Sequence, residues 1–287
     1  VGNPNVGKSV IFGLLTGKYV TVSNYPGTTV EVSRGMCKGL GGGIEIIDTP
    51  GANSLIPLSE DESVARDMLL EDYTKHIVQV ADAKNLRRGL LVTSQLAEMG
   101  LPVVLVLNMW DELLDRGMNV DVEVLQEILG APVVKTIATH KVGISALFHA
   151  IPIAKIPNLP IDYGSLIEEG ISRILKILQG NTTVNERALA IMLLSGDEAL
   201  EEKLRHKLTD GSLAEIKRIR EGIQSHFSNP LSYVINIKRA NIIDALVDKV
   251  TLTIRKEKET HPAVRGIFFY FLVPLVSFFM GYKLAAL

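Results

Sequence analysis

A single cysteine, Cys37, stands in 287 residues, which excludes an intrachain disulfide and a thiolate zinc cage. Charge of one sign is lacking as well. Thirty Lys and Arg against 32 Asp and Glu leave a net charge of −2, so the strongly basic footprint of a non-specific nucleic-acid binder is absent. The six histidines keep no metal-ligand spacing. Acidic side chains are missing altogether from residues 263–287, where Arg265 and Lys283 are the only charges. That block contributes much of the positive mean hydropathy of +0.23. The chain opens one residue before a phosphate-binding pattern that a strand normally feeds, so it is expected to be a fragment cut at both ends.

Residues 1–152 carry 12 basic against 17 acidic side chains and alternate short apolar runs with amphipathic stretches, the pattern of βαβ units around a mostly parallel sheet. Strands are predicted at 30–37 and 44–48, flanking a glycine-rich hairpin turn at 38–43, and at 77–81, 102–108 and 132–137. Helices are predicted at 85–99 and 121–129. Three prolines within 151–160 mark a boundary. Beyond it only helical periodicity is found, at 165–179, 185–194, 197–208, 212–226 and 231–259.

Gly2-Asn3-Pro4-Asn5-Val6-Gly7-Lys8-Ser9 fits G-x-x-x-x-G-K-[ST]. In such a loop the backbone N–H groups converge on phosphate oxygens at a helix N-terminus, the lysine reaches the β- and γ-phosphates, and the Ser9 hydroxyl binds Mg²⁺. The competing reading, a glycine turn that merely opens a helix, loses ground with each later motif. Forty residues after Lys8, a β-run ends in Asp48-Thr-Pro-Gly51. Asp48 would join the Mg²⁺ sphere through water, and the Gly51 N–H would sense the γ-phosphate. Asn108-Met109-Trp-Asp111 follows an apolar run. A carboxylate at Asp111 accepts from guanine N1–H and its exocyclic amine, two donors that adenine does not present together, so the motif selects GTP over ATP. A fifth loop, Ile137-Ala138-Thr139-His140-Lys141, offers backbone N–H groups to guanine O6, with Ala138 the candidate. In Asn24-Tyr-Pro-Gly-Thr28-Thr29-Val-Glu31 two threonines compete as the further Mg²⁺ ligand.

These residues carry a family resemblance. The run Asn24 to Glu31 resembles the pattern N-[WY]-P-G-x-T-V-E of ferrous iron transport protein B. The stretch from Asp48 through Ser54-Leu-Ile-Pro-Leu-Ser-Glu-Asp-Glu-Ser to Asp67 resembles it too, with Asn53 where the family usually has Tyr. Glu186-Arg-Ala-Leu-Ala-Ile-Met-Leu-Leu-Ser-Gly-Asp-Glu198 is similar to the family's helical-domain signature, and Thr260-His-Pro262 to the entry of its first membrane helix. The resemblance implies a P-loop GTPase fold with a mostly parallel sheet, then an all-helical domain and a transmembrane segment. It selects Thr29 over Thr28 for Mg²⁺, and it implies a potassium-stimulated GTPase in which Asn5 ligates K⁺. Lys8, Asn5, Thr29 and Gly51 are then the residues expected to carry hydrolysis. Ala52 follows Gly51 where Ras-like proteins place a catalytic Gln, so turnover is expected to be slow.

The expected organisation is a G domain at 1–152, a helical regulatory domain at 153–262 and the start of a membrane domain at 263–287. Residues 267–287 as a helix would run about 32 Å, enough for a hydrocarbon core near 30 Å, and Pro274 is better tolerated there than in a soluble helix. The implied setting is a multi-pass protein of the cell's inner membrane with residues 1–260 cytosolic. Its partners would be GTP or GDP, the lipid bilayer, Fe²⁺ passing through a membrane domain, and small cytosolic accessory proteins, with no nucleic acid. The rival reading is a soluble potassium-dependent GTPase of ribosome assembly or tRNA modification, which needs a basic RNA-binding module that neither block offers. A third is a pure GTP-dependent switch with negligible turnover.

Overall fold

The computed structural model describes residues 1–17, 20–40, 43–71, 76–179 and 185–253. In chain order the elements are α1 (Lys8–Thr16), β1 (Val20–Asn24), β2 (Glu31–Met36), β3 (Glu45–Asp48), α2 (Glu60–Leu69), β4 (Ile77–Asp82), α3 (Leu86–Glu98), β5 (Val103–Asn108), α4 (Trp110–Asp115), β6 (Met118–Val120), α5 (Val122–Leu129), β7 (Val133–Lys135) and α6 (Ile144–Ala150). There follow α7 (Ser165–Leu178), α8 (Glu186–Leu194), α9 (Glu198–Leu204), α10 (Asp210–Gln224), α11 (Leu231–Val250) and β8 (Thr251–Thr253).

The almost unbroken apolar run of β5 requires cover on both faces, and it receives it. All six residues are buried, between β4 and β7 in a parallel sheet with Val80 opposite Val106 and Leu105 opposite Val133. Its side chains alternate with period two. Val104 and Val106 join the α1 and α6 residues Ile11, Leu15 and Leu147, whereas Leu105 and Leu107 join Leu90 of α3 and Leu125 of α5. Gly2 bridges to Val80 in parallel, which sets the phosphate-binding loop at the C-terminal end of the sheet. The expected hairpin is present as the antiparallel pair β2–β3, with β1 added on its outer edge. Between β3 and β4 lies an apolar slot of about 640 Å³, walled by Ile46 and Ile47, Ile77 and Val78, and Phe12 of α1. Lys8, Arg34, Glu45 and Asp48 also line it.

The later helices form one layer whose core does not stop at the proline-rich boundary. Ile167, Ile171, Ile174 and Leu178 line one face of α7, and α8 is buried all round from Ala188 to Leu194, as the central helix of a layer must be. The same apolar cluster takes in Ala52, Leu55, Ala65 and Leu69, together with Val92 and Leu96 of α3. The helices therefore rest directly on the chain that follows Gly51.

Two buried ion pairs cross this contact. Arg66 of α2 is fully buried and donates to Asp197 and, at 2.9 Å, to Asp67. Asp197 also caps α9 by accepting from the Leu200 N–H at 3.0 Å. Arg239 of α11 donates to Glu98 of α3 at 2.7 Å and lies over the Tyr163 ring, whose hydroxyl donates to the same carboxylate. Burial is the largest influence on that phenol and drives its pKa well above the ordinary tyrosine value.

One expected helix needs correction. The helix read at 231–259 ends at Val250, and Thr251 is already extended at φ −88° and ψ 127°. Val250-Thr-Leu-Thr is rich in β-branched residues, which favour a strand. The strand has a partner, since β8 pairs with β6 and the Asp121 N–H donates to the Val250 carbonyl at 2.8 Å. No helix among the described residues is long and apolar enough to cross a membrane. The expected span at 263–287, and the remainder of the expected helix at 254–259, lie outside the described residues.

Removing one partner of a buried pair strands the other charge. Asp197→Ala is expected to lower unfolding free energy by about 3–5 kcal/mol, read from urea denaturation. Arg173→Ala, at an exposed pair with Glu215, is expected to change it by less than about 1 kcal/mol.

Candidate functional site

Besides Gly2 at φ 149°, two residues of the phosphate-binding loop have positive φ, Asn5 at 63° and Gly7 at 90°. Only glycine fits at the second position: a Cβ on Gly7 would lie 2.4 Å from Nδ2 of Asn108. Lys8 begins α1 without a side-chain cap, so the orphan N–H groups of its first turn are open to an anion. The Lys8 ammonium folds back to the Asn3 carbonyl at 3.1 Å. Burial holds its pKa below the ordinary lysine value, with the Asp48 charge opposing. An ammonium in this state gains from an arriving phosphate.

Asn3 is buried and donates through Nδ2 to the Ala52 carbonyl at 3.3 Å, while the Ala52 N–H donates to the Gly2 carbonyl at 3.1 Å. These bonds stitch the phosphate loop to the strand-end loop of Asp48–Gly51. Gly51 packs so close that an added Cβ would sit 3.0 Å from Cα of Pro4. Pro4, Asn5, Gly7, Lys8, Ser9, Gly51 and Asp61 line a shared cleft. Within reach of it, the Ser9 hydroxyl donates to Oδ2 of Asp48 at 2.9 Å, so two hard oxygen donors stand together as a divalent cation such as Mg²⁺ requires. The Asn5 side chain is exposed and lines the cleft, an amide oxygen donor of the kind a monovalent cation accepts.

The two threonines part company here. Thr28 is half-buried and its hydroxyl is engaged in the turn, donating to the Tyr25 carbonyl at 3.0 Å and accepting from the Val30 N–H at 3.2 Å. Thr29 is exposed. It stands outside the residues lining the cleft.

At the base end, Asn108 is buried and acts as a latch. Its Nδ2 donates to the Val6 carbonyl at 3.0 Å, and its Oδ1 accepts from the Thr136 hydroxyl and the Ala138 N–H, each at 3.0 Å. The Ala138 N–H, expected to face guanine O6, is thus engaged by Asn108, and Ala138 enters the site through that bond. Met109 is left-handed at φ 59°, which turns the chain into α4 and brings Asp111 into its first turn, half-buried. Trp110 is pinned by its N–H to the Thr136 carbonyl at 3.2 Å and by the Lys135 ammonium 5.0 Å from its ring centroid.

Sequence reasoning missed two parts of this region. The helix α2 starts at Ser59, whose hydroxyl accepts from the Glu62 N–H at 3.3 Å. The Ser-x-x-Glu spacing is the signal that could have found it. The Glu62 carboxylate in turn accepts from the Asn53 and Leu58 N–H groups at 3.0 and 2.9 Å, bracing the chain after Gly51. Asp61 in the cleft wall follows from the same helix start.

A phosphate loop bridged to β4, an Asp-x-x-Gly at the end of β3 and an Asn-x-x-Asp at the end of the parallel strand β5 make this the fold of a P-loop GTPase. The chain belongs to the ferrous iron transport protein B family. Residues 1–151 match the model described as "Ferrous iron transport protein B", and residues 163–251 match "FeoB cytosolic helical domain". Among curated proteins it is 38% identical over 211 residues to an Fe(2+) transport protein A/Fe(2+) transporter FeoB fusion protein of Porphyromonas gingivalis, covering 70% of this chain and 25% of that protein. It is 32% identical over 249 residues to an Fe(2+) transporter FeoB of Staphylococcus aureus, covering 80% of this chain and 37% of that protein. The chain thus spans a quarter to just over a third of the length of these relatives. A solved mutant of S. thermophilus NFeoB bound to GDP superposes with TM-score 0.77 at 34% identity over 88% of this chain and 97% of that one. The L. pneumophila FeoB cytosolic domain gives 0.75 at 32% identity over 87% and 97%.

If Asn108 joins the loops as described, Asn108→Ala leaves a buried carbonyl, hydroxyl and N–H without their partner. The expected loss is about 2–4 kcal/mol of stability in nucleotide-free protein. Gly7→Ala is expected to be destabilising through both the φ requirement and the clash. Thermal melts of the two variants without nucleotide check both.

Proposed function

We propose that this chain is the guanine-nucleotide-binding and GTP-hydrolysing cytosolic region of a ferrous iron transporter. Residues 1–152 bind nucleotide, 153–262 form the helical regulatory part, and 263–287 begin a membrane domain of the cell's inner membrane, through which Fe²⁺ passes. The observation that carries the reading is the Asn108 latch, which joins the phosphate loop at Val6 to the base loop at Ala138 with Asp111 three residues away. Relatives with GDP and with GMPPNP bound support it. The fusion of an Fe(2+) transport protein A to a relative supports a small accessory protein as partner.

In this reading Gly2 to Ser9 cradle the phosphates and Lys8 offsets their charge. Ser9, Asp48 and Thr29 would hold Mg²⁺, which would supply positive charge to offset that developing on the phosphates. Thr29 is the threonine whose hydroxyl is not committed to the turn, and it would have to close onto the cleft. The Gly51 N–H reports the γ-phosphate. Asn5 would hold K⁺, whose charge would add electrostatic stabilisation. The residue after Gly51 is Ala52, fully buried with its N–H bonded to Gly2, so no side chain there orients water and intrinsic turnover is slow.

Asp111→Asn exchanges an acceptor for a donor opposite the guanine edge. The expected result is a loss of roughly 2–3 kcal/mol for GTP and a shift of preference to xanthine nucleotides, measured by competition binding. Unchanged GTP affinity would overturn the base-site assignment. Separately, GTP turnover is expected to be faster in K⁺ than in Na⁺, and Asn5→Ala is expected to abolish the difference while leaving GDP affinity within about twofold. Equal wild-type rates in the two salts would remove the cation role.

A further inference from the structure

The helix carrying Asp111 is only six residues long, too short to hold its own orientation. Trp110 anchors it on one side through Thr136 and Lys135. On the other side stands Lys84, a residue the nucleotide reading does not use. It lies just after β4, in the short turn Ala83–Asn85, and its side chain is 8% exposed. Its ammonium contacts three groups: Oδ1 of Asp82 at 3.5 Å, Sδ of Met109 at 3.4 Å, and Oε2 of Glu112. Asp82 is the residue opposite Asn108 in the sheet register. It is held in place by accepting from the Lys84 N–H at 2.9 Å and from Nδ2 of Asn85 at 2.7 Å. Glu112 is the neighbour of Asp111.

The base end is therefore crowded with carboxylates, Asp82, Asp111 and Glu112, and Lys84 is the buried cation among them. It ties the end of β4 to the first turn of α4 and covers the left-handed Met109. Without it, Asp82 and Glu112 would repel each other, and the first turn of α4, with Leu113 still buried behind it, would turn about its Trp110 anchor. Such a turn would carry Asp111 off the line of the guanine donors, because hydrogen bonds weaken steeply with misalignment.

We propose that Lys84 is a positioning residue for guanine selectivity, clamping Glu112 to Asp82 so that the Asp111 carboxylate meets the base edge. The inference rests on the guanine-nucleotide reading of the site and deepens it.

The test compares GDP with inosine diphosphate, which lacks the exocyclic amine that Asp111 accepts from. Wild type is expected to prefer GDP. Lys84→Met keeps length and apolar bulk and is expected to raise the Kd for GDP about tenfold, the value of one charge-assisted hydrogen bond. The Kd for inosine diphosphate, which offers Asp111 the N1–H but no amine, is expected to rise by less, so the ratio falls. Lys84→Arg is expected to restore the ratio. Glu112→Gln, at a carboxylate 55% exposed and so tolerant of change, is expected to shift the ratio in the same direction, which keeps the proposal testable if Lys84→Met does not fold. Equal weakening of both nucleotides in Lys84→Met, or an unaltered ratio in Glu112→Gln, would overturn the positioning role. A wild type that binds both nucleotides equally would overturn the guanine reading itself.

Discussion

The side-chain amide of Asn108 is the joint on which the nucleotide site depends. Three segments far apart in the chain, at Val6, Thr136 and Ala138, meet on its two polar atoms. Each would otherwise bring a polar group into the interior unpaired, at a cost larger than the gain of an ordinary hydrogen bond. The amide can occupy this position only because Gly7 has no side chain. It stays there because β5, whose last residue it is, is buried on both faces. A strand made almost wholly of apolar residues thus ends in one polar group, and that group organises the loops around it.

The second constraint is charge placed where water does not reach. Arg66–Asp197 and Arg239–Glu98 are poor investments in stability, since apolar residues of similar volume often do as well. Their effect is geometric. An unpaired guanidinium in the interior is so unfavourable that α2 has one seat against α9, and α11 one seat against α3. The segment after Gly51 is held further by Glu62, which accepts from two backbone N–H groups, and by apolar contacts of Ala52 and Leu55 with the helical layer. The loop that follows Asp48 is therefore continuous with the helices in packing as well as in sequence.

Much of this was legible beforehand. The run at 102–108 has no other solution than a buried strand, and the apolar stripe of α7 and the all-apolar α8 announce their burial directly. The motif residues could be ordered along the chain because each ends a strand or opens a helix. What escaped lacked a hydrophobic signature. β1 is exposed at all five positions and exists only as the edge partner of β2. α2 carries Glu60, Asp61 and Glu62 in its first turn, and its apolar face is short. The end of α11 misled because helical periodicity and β-branched composition overlap at 250–253, and pairing with β6 decided between them. The role of Asn108 as a latch has no sequence signal, since it depends on which groups are brought together, whereas Pro26-Gly27 signals turn chemistry for either threonine without saying which one it engages.

The short sheet of β6 and β8 gives the molecule a second route from the nucleotide site to the end of α11. Starting from the phosphate end, a displacement of Gly51 reaches α3 through Ala52 and Leu55, which pack with Val92 and Leu96, and then α11 through the Arg239–Glu98 pair. Starting from the base end, it crosses α4 and arrives at β6, which is bonded directly to β8. The residues that follow α11 are therefore one strand pairing away from β6, which comes directly after the helix that bears Asp111. In mechanical terms, the end of the nucleotide that identifies it is joined to the end of α11 by a strand pairing, and the end that changes on hydrolysis by side-chain packing and one buried ion pair.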